Sequence, residues 1–279
     1  MGRFDGKVVL ITGAGRGQGR SDAVRFAEEG ADIVALDVCH DLDTVPYPLA
    51  TSADLAETVK EVESRDRRIL SFEADTRDYG RLEAVVDETV SEFGRIDIVV
   101  ANAGICTAAP IWELTQETWK EMIDVNLTGV FNPVRAALPT IMAQGPGGAI
   151  VLTSSAAGLN AFPNMGHYTA AKHGVTGLMR SLAVELAPHG IRANSVHPTT
   201  VDTPMVQNPA FWALLGAQDA EGAQPGFRSL NALRVPYVEA VDISNAVLYL
   251  ASEEARYVTG VALPVDAGGA MPYRIPHSA

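Results

Sequence analysis

Four side chains in this sequence are spaced for proton chemistry. Tyr168 and Lys172 lie four residues apart in Tyr168-Thr169-Ala170-Ala171-Lys172, which puts both on one face of a helix. A phenol ionises near pH ~10, and lowering that by ~3 units requires ~4 kcal/mol of differential stabilisation. A neighbouring ammonium acts in that direction by favouring the phenolate. Ser155 follows the apolar run Ala149-Ile150-Val151-Leu152 closely, so its hydroxyl can hold a substrate oxygen within reach of the phenol. Asn126, in Asp124-Val125-Asn126-Leu127-Thr128-Gly129, falls mid-helix, where its amide can hold a water against the backbone and extend a proton route towards solvent. Taken singly, a Tyr–Lys pair is ordinary surface packing, a strand-end serine is unremarked, and a helical asparagine is a cap or kink.

A second constellation changes that reading. Thr12-Gly13-Ala14-Gly15-Arg16-Gly17-Gln18-Gly19 follows the β-branched run Val8-Val9-Leu10-Ile11. Gly13, Gly17 and Gly19 allow a tight turn and close approach to a pyrophosphate, with the next helix aiming its free N–H groups at that anion. Arg16 and Gln18 belong to the same loop. The second strand ends at Asp37, whose carboxylate accepts hydrogen bonds from adenosine ribose hydroxyls and repels a 2′-phosphate. Arg16 argues the other way, since a basic residue there can face that phosphate. Asp37 carries more weight because it sits at the ribose and Val38 beside it is not basic, so the expected cofactor is NAD. Asp75, with Thr76 next to it, follows the third strand and can reach the adenine amino group. Asn102-Ala103-Gly104 ends the fourth strand with small residues along the cofactor's path. A bound nicotinamide would add a second positive charge beside Tyr168 and open a proton route through its ribose and Lys172.

The elements that position these groups alternate along the chain. Apolar strands are expected at 7–12, 33–36, 69–72, 96–101, 149–152, 193–197 and 261–265. Helical stripes are expected at 18–29, 54–65, around 82–90, over a long 115–143, at 165–187 and at 239–251. Near-continuous apolar strands joined by helical crossovers mean a mainly parallel sheet covered on both faces. The expected fold is a doubly wound, Rossmann-type α/β sheet of seven strands in a single domain over 1–279. Two stretches break the rhythm, 39–53 between the second strand and its helix, and 204–237. Loops beyond ~12–15 residues are usually functional or disordered.

Composition narrows the class. Lys plus Arg is 21 and Asp plus Glu is 34, a net charge of −13 over 279 residues. That field opposes binding to nucleic acid or an anionic membrane. No run approaches the ~18 apolar residues of a membrane span, and the expected location is the cytoplasm. Cys39 and Cys106 are too few and too distant for a disulfide framework or zinc site, and the six histidines form no ligand pattern. No metal is expected. His167 and His173 flank the Tyr–Lys pair as packing groups, and Cys106 reads as a small core filler near the pocket.

In order and spacing, Thr12–Gly19, Asn102-Ala103-Gly104, Asn126, Ser155, Tyr168 and Lys172 resemble the short-chain dehydrogenase/reductase family over about residues 5–269. The resemblance implies a nicotinamide cofactor, hydride transfer at a CH–OH carbon and usually a homotetramer. It also implies that Pro198, Val201 and Thr203 line the nicotinamide carboxamide. The family commonly has glycine after that proline; this chain has Thr199. Gly17-Gln18-Gly19-Arg20-Ser21, the 39–53 insertion, Thr153-Ser154-Ser155-Ala156-Ala157-Gly158 and His197-Pro198-Thr199-Thr200-Val201 are similar to a narrower branch, the mycofactocin-coupled, carveol dehydrogenase-like enzymes. That likeness implies NAD held through turnover and electrons passed to a redox peptide.

The substrate reading rests on residues 205–227. Met205, Val206, Phe211, Trp212, Leu214, Leu215 and Phe227 leave the nicotinamide side and are placed to cover the substrate, although they could equally dock the loop on the core. Apolar walls suit a small lipophilic secondary alcohol of cyclic, terpenoid type. An NADPH-dependent ketoreductase and a non-catalytic nucleotide-binding scaffold are the competing readings. The scaffold has no need of Asn126, Ser155, Tyr168 and Lys172 together.

Overall fold

The computed structural model describes residues 2–271. Seven strands, β1 (Val8–Thr12), β2 (Asp32–Asp37), β3 (Ile69–Glu73), β4 (Ile98–Ala101), β5 (Ala149–Thr153), β6 (Arg192–Pro198) and β7 (Ala262–Val265), form one sheet. Its order is β3-β2-β1-β4-β5-β6-β7, and every neighbouring pair is parallel. The chain winds outward from β1 to β3, returns, and winds the other way from β4. This leaves a crevice at the carboxyl ends of β1 and β4, where such sheets bind ligands.

The helices are α1 (Gly17–Glu28), α2 (Ser52–Glu63), α3 (Tyr79–Phe93), α4 (Gln116–Ile123), α5 (Gly129–Ala143), α6 (Gly166–Leu186), α7 (Pro209–Leu214), α8 (Ala220–Ser229) and α9 (Ala240–Ala251). Alternate strand residues feed two cores. Val8, Leu10, Val34 and Leu36 pack with Leu82 and Val85 of α3, Val134 of α5 and Val175 and Met179 of α6. Val9, Ile11, Ile33 and Ala35 pack with Ala23 and Phe26 of α1, Leu55 of α2 and Val247 and Leu248 of α9. Burial on both faces explains why the strands read as unbroken apolar runs. Polar side chains mark helix starts: Thr51 and Asp54 form a capping box at α2, and the Asp78 carboxylate accepts the Arg81 N–H at α3.

The structure departs from the sequence reading at two places. The helix expected over 115–143 is α4, then a π-helical turn at Asp124–Thr128, then α5. A π turn widens the helical ladder locally and is frequent at functional sites, and Asn126 lies in the middle of this one. The long interruption at 204–237 holds two short helices, α7 capped by Asn208 and α8 capped by Asp219. Among the described residues, no helix is long and apolar enough to cross a membrane, and no group of three or more His, Cys, Asp or Glu could hold a metal ion.

Candidate active site

Each of the catalytic and cofactor-binding candidates except Gly19 lines a single cavity of about 470 Å³ at the carboxyl ends of the strands. Gly19 lies behind the loop, where a Cβ would fall 2.1 Å from the Gly13 carbonyl oxygen. Its bare backbone lets α1 close against the first strand's end.

At the cofactor end, Gly13 has φ +68°, and a Cβ there would come 2.8 Å from Ala103 Cα. Only glycine combines that conformation with that approach. Thr12 ties the two strand ends together, its Oγ1 accepting the N–H groups of Asn102 and Ala103, both at 3.0 Å. Arg16 supplies no side-chain cap to α1, so first-turn N–H groups remain available to an anion. Asp37 Oδ2 accepts Gly15 N–H and Oδ1 accepts Val38 N–H, each at 2.8 Å. Burial raises the Asp37 carboxyl above its ordinary range, with these backbone donors pulling the other way. The Arg16 guanidinium is engaged elsewhere, donating to the Pro48 carbonyl oxygen. Asp75 is held bidentately by Arg77. Burial raises its pKa, but the Arg77 bonds and charge outweigh that and hold it below the usual range. The buried Gln18 Oε1 has no partner among the described residues. An extended cavity with glycine backbone at one wall, an uncapped helix start and a ribose-height carboxylate fits a dinucleotide without a 2′-phosphate.

At the chemical end, Ser155, at the carboxyl end of β5, and Tyr168 and Lys172, on one face of α6, converge. Lys172 Nζ donates to the Thr153 carbonyl oxygen at 2.9 Å and lies 5.7 Å from the Tyr168 ring centroid. The expected lowering of the Tyr168 pKa rests on Lys172 together with a bound nicotinamide; in the protein by itself burial is the dominant influence. Burial pushes the Tyr168 phenol well above its ordinary value, and the Ser155 hydroxyl facing it pulls back only in part. Burial likewise pushes Lys172 down to about 8, because a low-dielectric site disfavours both charged forms. The Asn126 amide bonds the backbone directly: Oδ1 accepts Ile105 N–H at 3.1 Å and Nδ2 donates to the Ile105 carbonyl at 2.9 Å.

Sequence reasoning missed two groups. His197 Nδ1 lies 2.8 Å from the Ser155 carbonyl oxygen and Nε2 lies 2.8 Å from Ser195 Oγ. A carbonyl only accepts, so Nδ1 carries the proton. Period-two alternation along β6 placed His197 on the Ser195 face and was the available signal. Tyr47, inside the 39–53 insertion, is buried in one cluster with Tyr168, Ile105 and Cys106. Tyr47 is the one aromatic residue of that insertion, and this was the only hint. His173 sits on the surface of α6, and buried His167 bonds Thr107, in keeping with packing. Burial pushes the Cys106 thiol up to about 12, leaving an inert filler.

The apolar 205–227 stretch divides in two. Trp212 and Phe227 pack within the loop's own small core, whereas Met205 and Phe211 pack against the Tyr168 cluster. Pro198, Val201 and Thr203 line the cavity from this side, Thr203 facing Gly17 of the glycine loop. Thr199, in place of the expected glycine, directs its hydroxyl to Asn231 Oδ1 at 2.7 Å and so ties β6 to the end of the loop.

Comparison with known proteins agrees with this geometry. The family model described as short chain dehydrogenase matches residues 7–212. The (-)-trans-carveol dehydrogenase of Rhodococcus erythropolis is 51% identical over 96% of this chain and 99% of its own. The crystal structure of carveol dehydrogenase from Mycobacterium avium in complex with NAD superposes with a TM-score of 0.95 at 51% identity, covering 96% of this chain and 99% of that one. Levodione reductase gives a TM-score of 0.87 at 36% identity, covering 97% and 100%. With the short chain dehydrogenase model matching residues 7–212 and relatives 51% identical over nearly the whole chain, the chain belongs to the short-chain dehydrogenase family.

Proposed function

We propose that this protein is an NAD-dependent alcohol dehydrogenase that interconverts a small lipophilic secondary alcohol of carveol type with its ketone. The observation that carries the reading is the convergence of Ser155, Tyr168 and Lys172 at one end of a cavity whose other end is walled by Gly13 and Asp37. The relatives named for carveol dehydrogenation support the substrate class. So do the apolar walls contributed by Met205, Phe211 and Leu214.

Bound NAD would supply the hydride acceptor and a positive charge near the phenol. Gly13, Gly17 and the start of α1 would hold its pyrophosphate, Asp37 the adenosine ribose, and Pro198, Val201 and Thr203 the carboxamide end. Tyr168, as the phenolate that this positive charge would favour, takes the alcohol proton on Oη, and Ser155 Oγ keeps the substrate oxygen against it. Lys172, fixed by the Thr153 carbonyl, presents its ammonium to the Tyr168 ring and to the ribose position. Asn126 holds the Ile105 backbone and, with Lys172 across Gly104, borders the path by which the proton reaches solvent. General acid–base groups of this kind contribute roughly 10²–10⁴-fold. Tyr168→Phe should therefore lower kcat by about that factor while NAD still binds; near-normal turnover would exclude the assignment.

The 39–53 segment supports a further part of the reading, that NAD is retained through turnover and its electrons pass to mycofactocin. Pro48 accepts from Arg16 of the glycine loop, and Tyr47 is anchored at Cys106, so the segment bridges the cofactor end and the chemical end. Freshly purified protein, once denatured, should release NAD in stoichiometric amount, and an artificial acceptor should sustain turnover that added NAD⁺ does not. We place the enzyme in the cytoplasm, in line with its composition, and as a homotetramer, as the family resemblance implies.

A further inference from the structure

Tyr47 brings a polar group into the least polar part of the cavity. Its ring is 4% exposed and meets Phe211 edge-on, with centroids 6.4 Å apart and an interplanar angle of 65°. Leu42, Phe162, Met165 and Met205 pack around the same cluster. The phenol oxygen accepts the Cys106 N–H at 3.0 Å. That contact consumes a lone pair and leaves the phenol proton, which no group among the described residues accepts. The hydroxyl is thus anchored through its oxygen and offers one donor to whatever fills the cavity.

Ser155 and Tyr168 already face each other at the position of the reacting oxygen. Tyr47 arrives on a separate segment and bonds neither of them. Burial keeps its phenol neutral across the physiological range, so it remains a donor. A buried donor penalises a ligand that covers it with hydrocarbon and favours one that supplies an acceptor. Sites built around such a group discriminate strongly against an analogue that lacks the acceptor.

We propose that Tyr47 is a specificity-determining residue whose O–H donates to a second oxygen of the substrate, distinct from the carbinol oxygen. The preferred ligand is then a cyclic secondary alcohol carrying a carbonyl, ether or further hydroxyl group on its ring or ring substituent. This rests on the reading of the substrate as a lipophilic ring alcohol.

Matched alcohols isolate the effect. An acetyl and an isopropenyl substituent have nearly the same shape and differ in C=O against C=CH₂. Steady-state kinetics on cyclohexanols bearing either group at the 3- or 4-position should show higher kcat/KM for an acetyl compound in the wild-type enzyme. In Tyr47→Phe the acetyl-to-isopropenyl ratio should fall about tenfold, equivalent to ~1.4 kcal/mol, carried by KM for the acetyl compound. Phe211→Leu loosens the same wall but retains the hydroxyl and should keep the ratio. Melting temperatures of both variants establish that they are folded. An unchanged ratio in Tyr47→Phe, or an equal fall in Phe211→Leu, overturns the proposal. So does a Tyr47→Phe enzyme that loses NAD with its ratio unmoved, which assigns the hydroxyl to the cofactor. Turnover of neither alcohol by the wild type is a different result: it overturns the ring-alcohol reading and this proposal with it.

Discussion

The imidazole of His197 donates from Nδ1 to the backbone carbonyl of Ser155 at 2.8 Å, fixing the residue that faces Tyr168 from behind. The ring is fully buried. Burial pushes its pKa down to about 4, so it stays neutral through the working pH range. His197→Ala removes a donor from the Ser155 carbonyl and a partner from Ser195. We expect a loss of ~1–3 kcal/mol in stability and a fall in kcat larger than any rise in KM, read by urea unfolding and alcohol kinetics. The folded pKa of about 4 lies below the ordinary 6.5, so the unfolded chain binds more protons between these values. Wild-type stability should fall as pH drops from 6.5 to 4, and His197→Ala should show less of that fall.

Gly104 separates Asn126 from Lys172. A Cβ at this position would lie 2.6 Å from Asn126 Oδ1 and 3.5 Å from Lys172 Nζ. Asn126 cannot retreat without breaking both of its bonds to Ile105. Gly104→Ala should therefore cost roughly 1–3 kcal/mol and depress turnover. A stability equal to the wild type, measured by thermal melting, would contradict this account of the Asn126 clamp.

Lys172 is buried with its pKa lowered from 10.5 to about 8. Between those values the unfolded chain holds the proton and the folded chain does not, so this residue makes stability rise with pH over that window. Lys172→Met removes the contribution. The stability difference, variant minus wild type, should decline from pH 8 to 10.5 and be flat between pH 6 and 7.5. A difference that does not vary with pH would mean that Lys172 remains charged in the fold.

Asp22 on α1 is 1% exposed, and among the described residues neither carboxylate oxygen has a hydrogen-bond partner within 3.5 Å, so the Ser244 hydroxyl beside it offsets burial only weakly. The nearby Ser244 hydroxyl is directed to Ser21 and the Ala240 carbonyl. Burial raises the Asp22 pKa from 3.8 to about 7, so the folded chain holds a proton that the unfolded chain releases. Stability contributed here falls as pH rises from about 4 to 7. Asp22→Asn should stabilise the protein at pH 8, by on the order of a few kcal/mol at ~1.4 kcal/mol per pKa unit, and much less at pH 4. Equal effects at the two pH values would show the carboxyl to be solvated.

The local patterns in the sequence were strong enough to determine the seven-stranded sheet, the glycine loop and the grouping of Ser155, Tyr168 and Lys172. Each depends on short-range chemistry: apolar runs buried on both faces, glycine at a turn that only glycine makes, and a four-residue helical repeat. Asp37 was legible for the same reason, since it ends a strand beside that turn. What depended on residues far apart in the chain came only with the folded structure. Asn126 sits in the π turn with its amide making two bonds to Ile105, across 21 residues. The commitment of Arg16 to Pro48 and the entry of Tyr47 into the Tyr168 cluster depend on where an irregular segment crosses the cavity, which no periodicity encodes. The ionisation of Tyr168 was also a tertiary matter. Spacing put an ammonium next to the phenol, but burial, set by the whole surrounding core, decided that the protein alone keeps the phenol protonated.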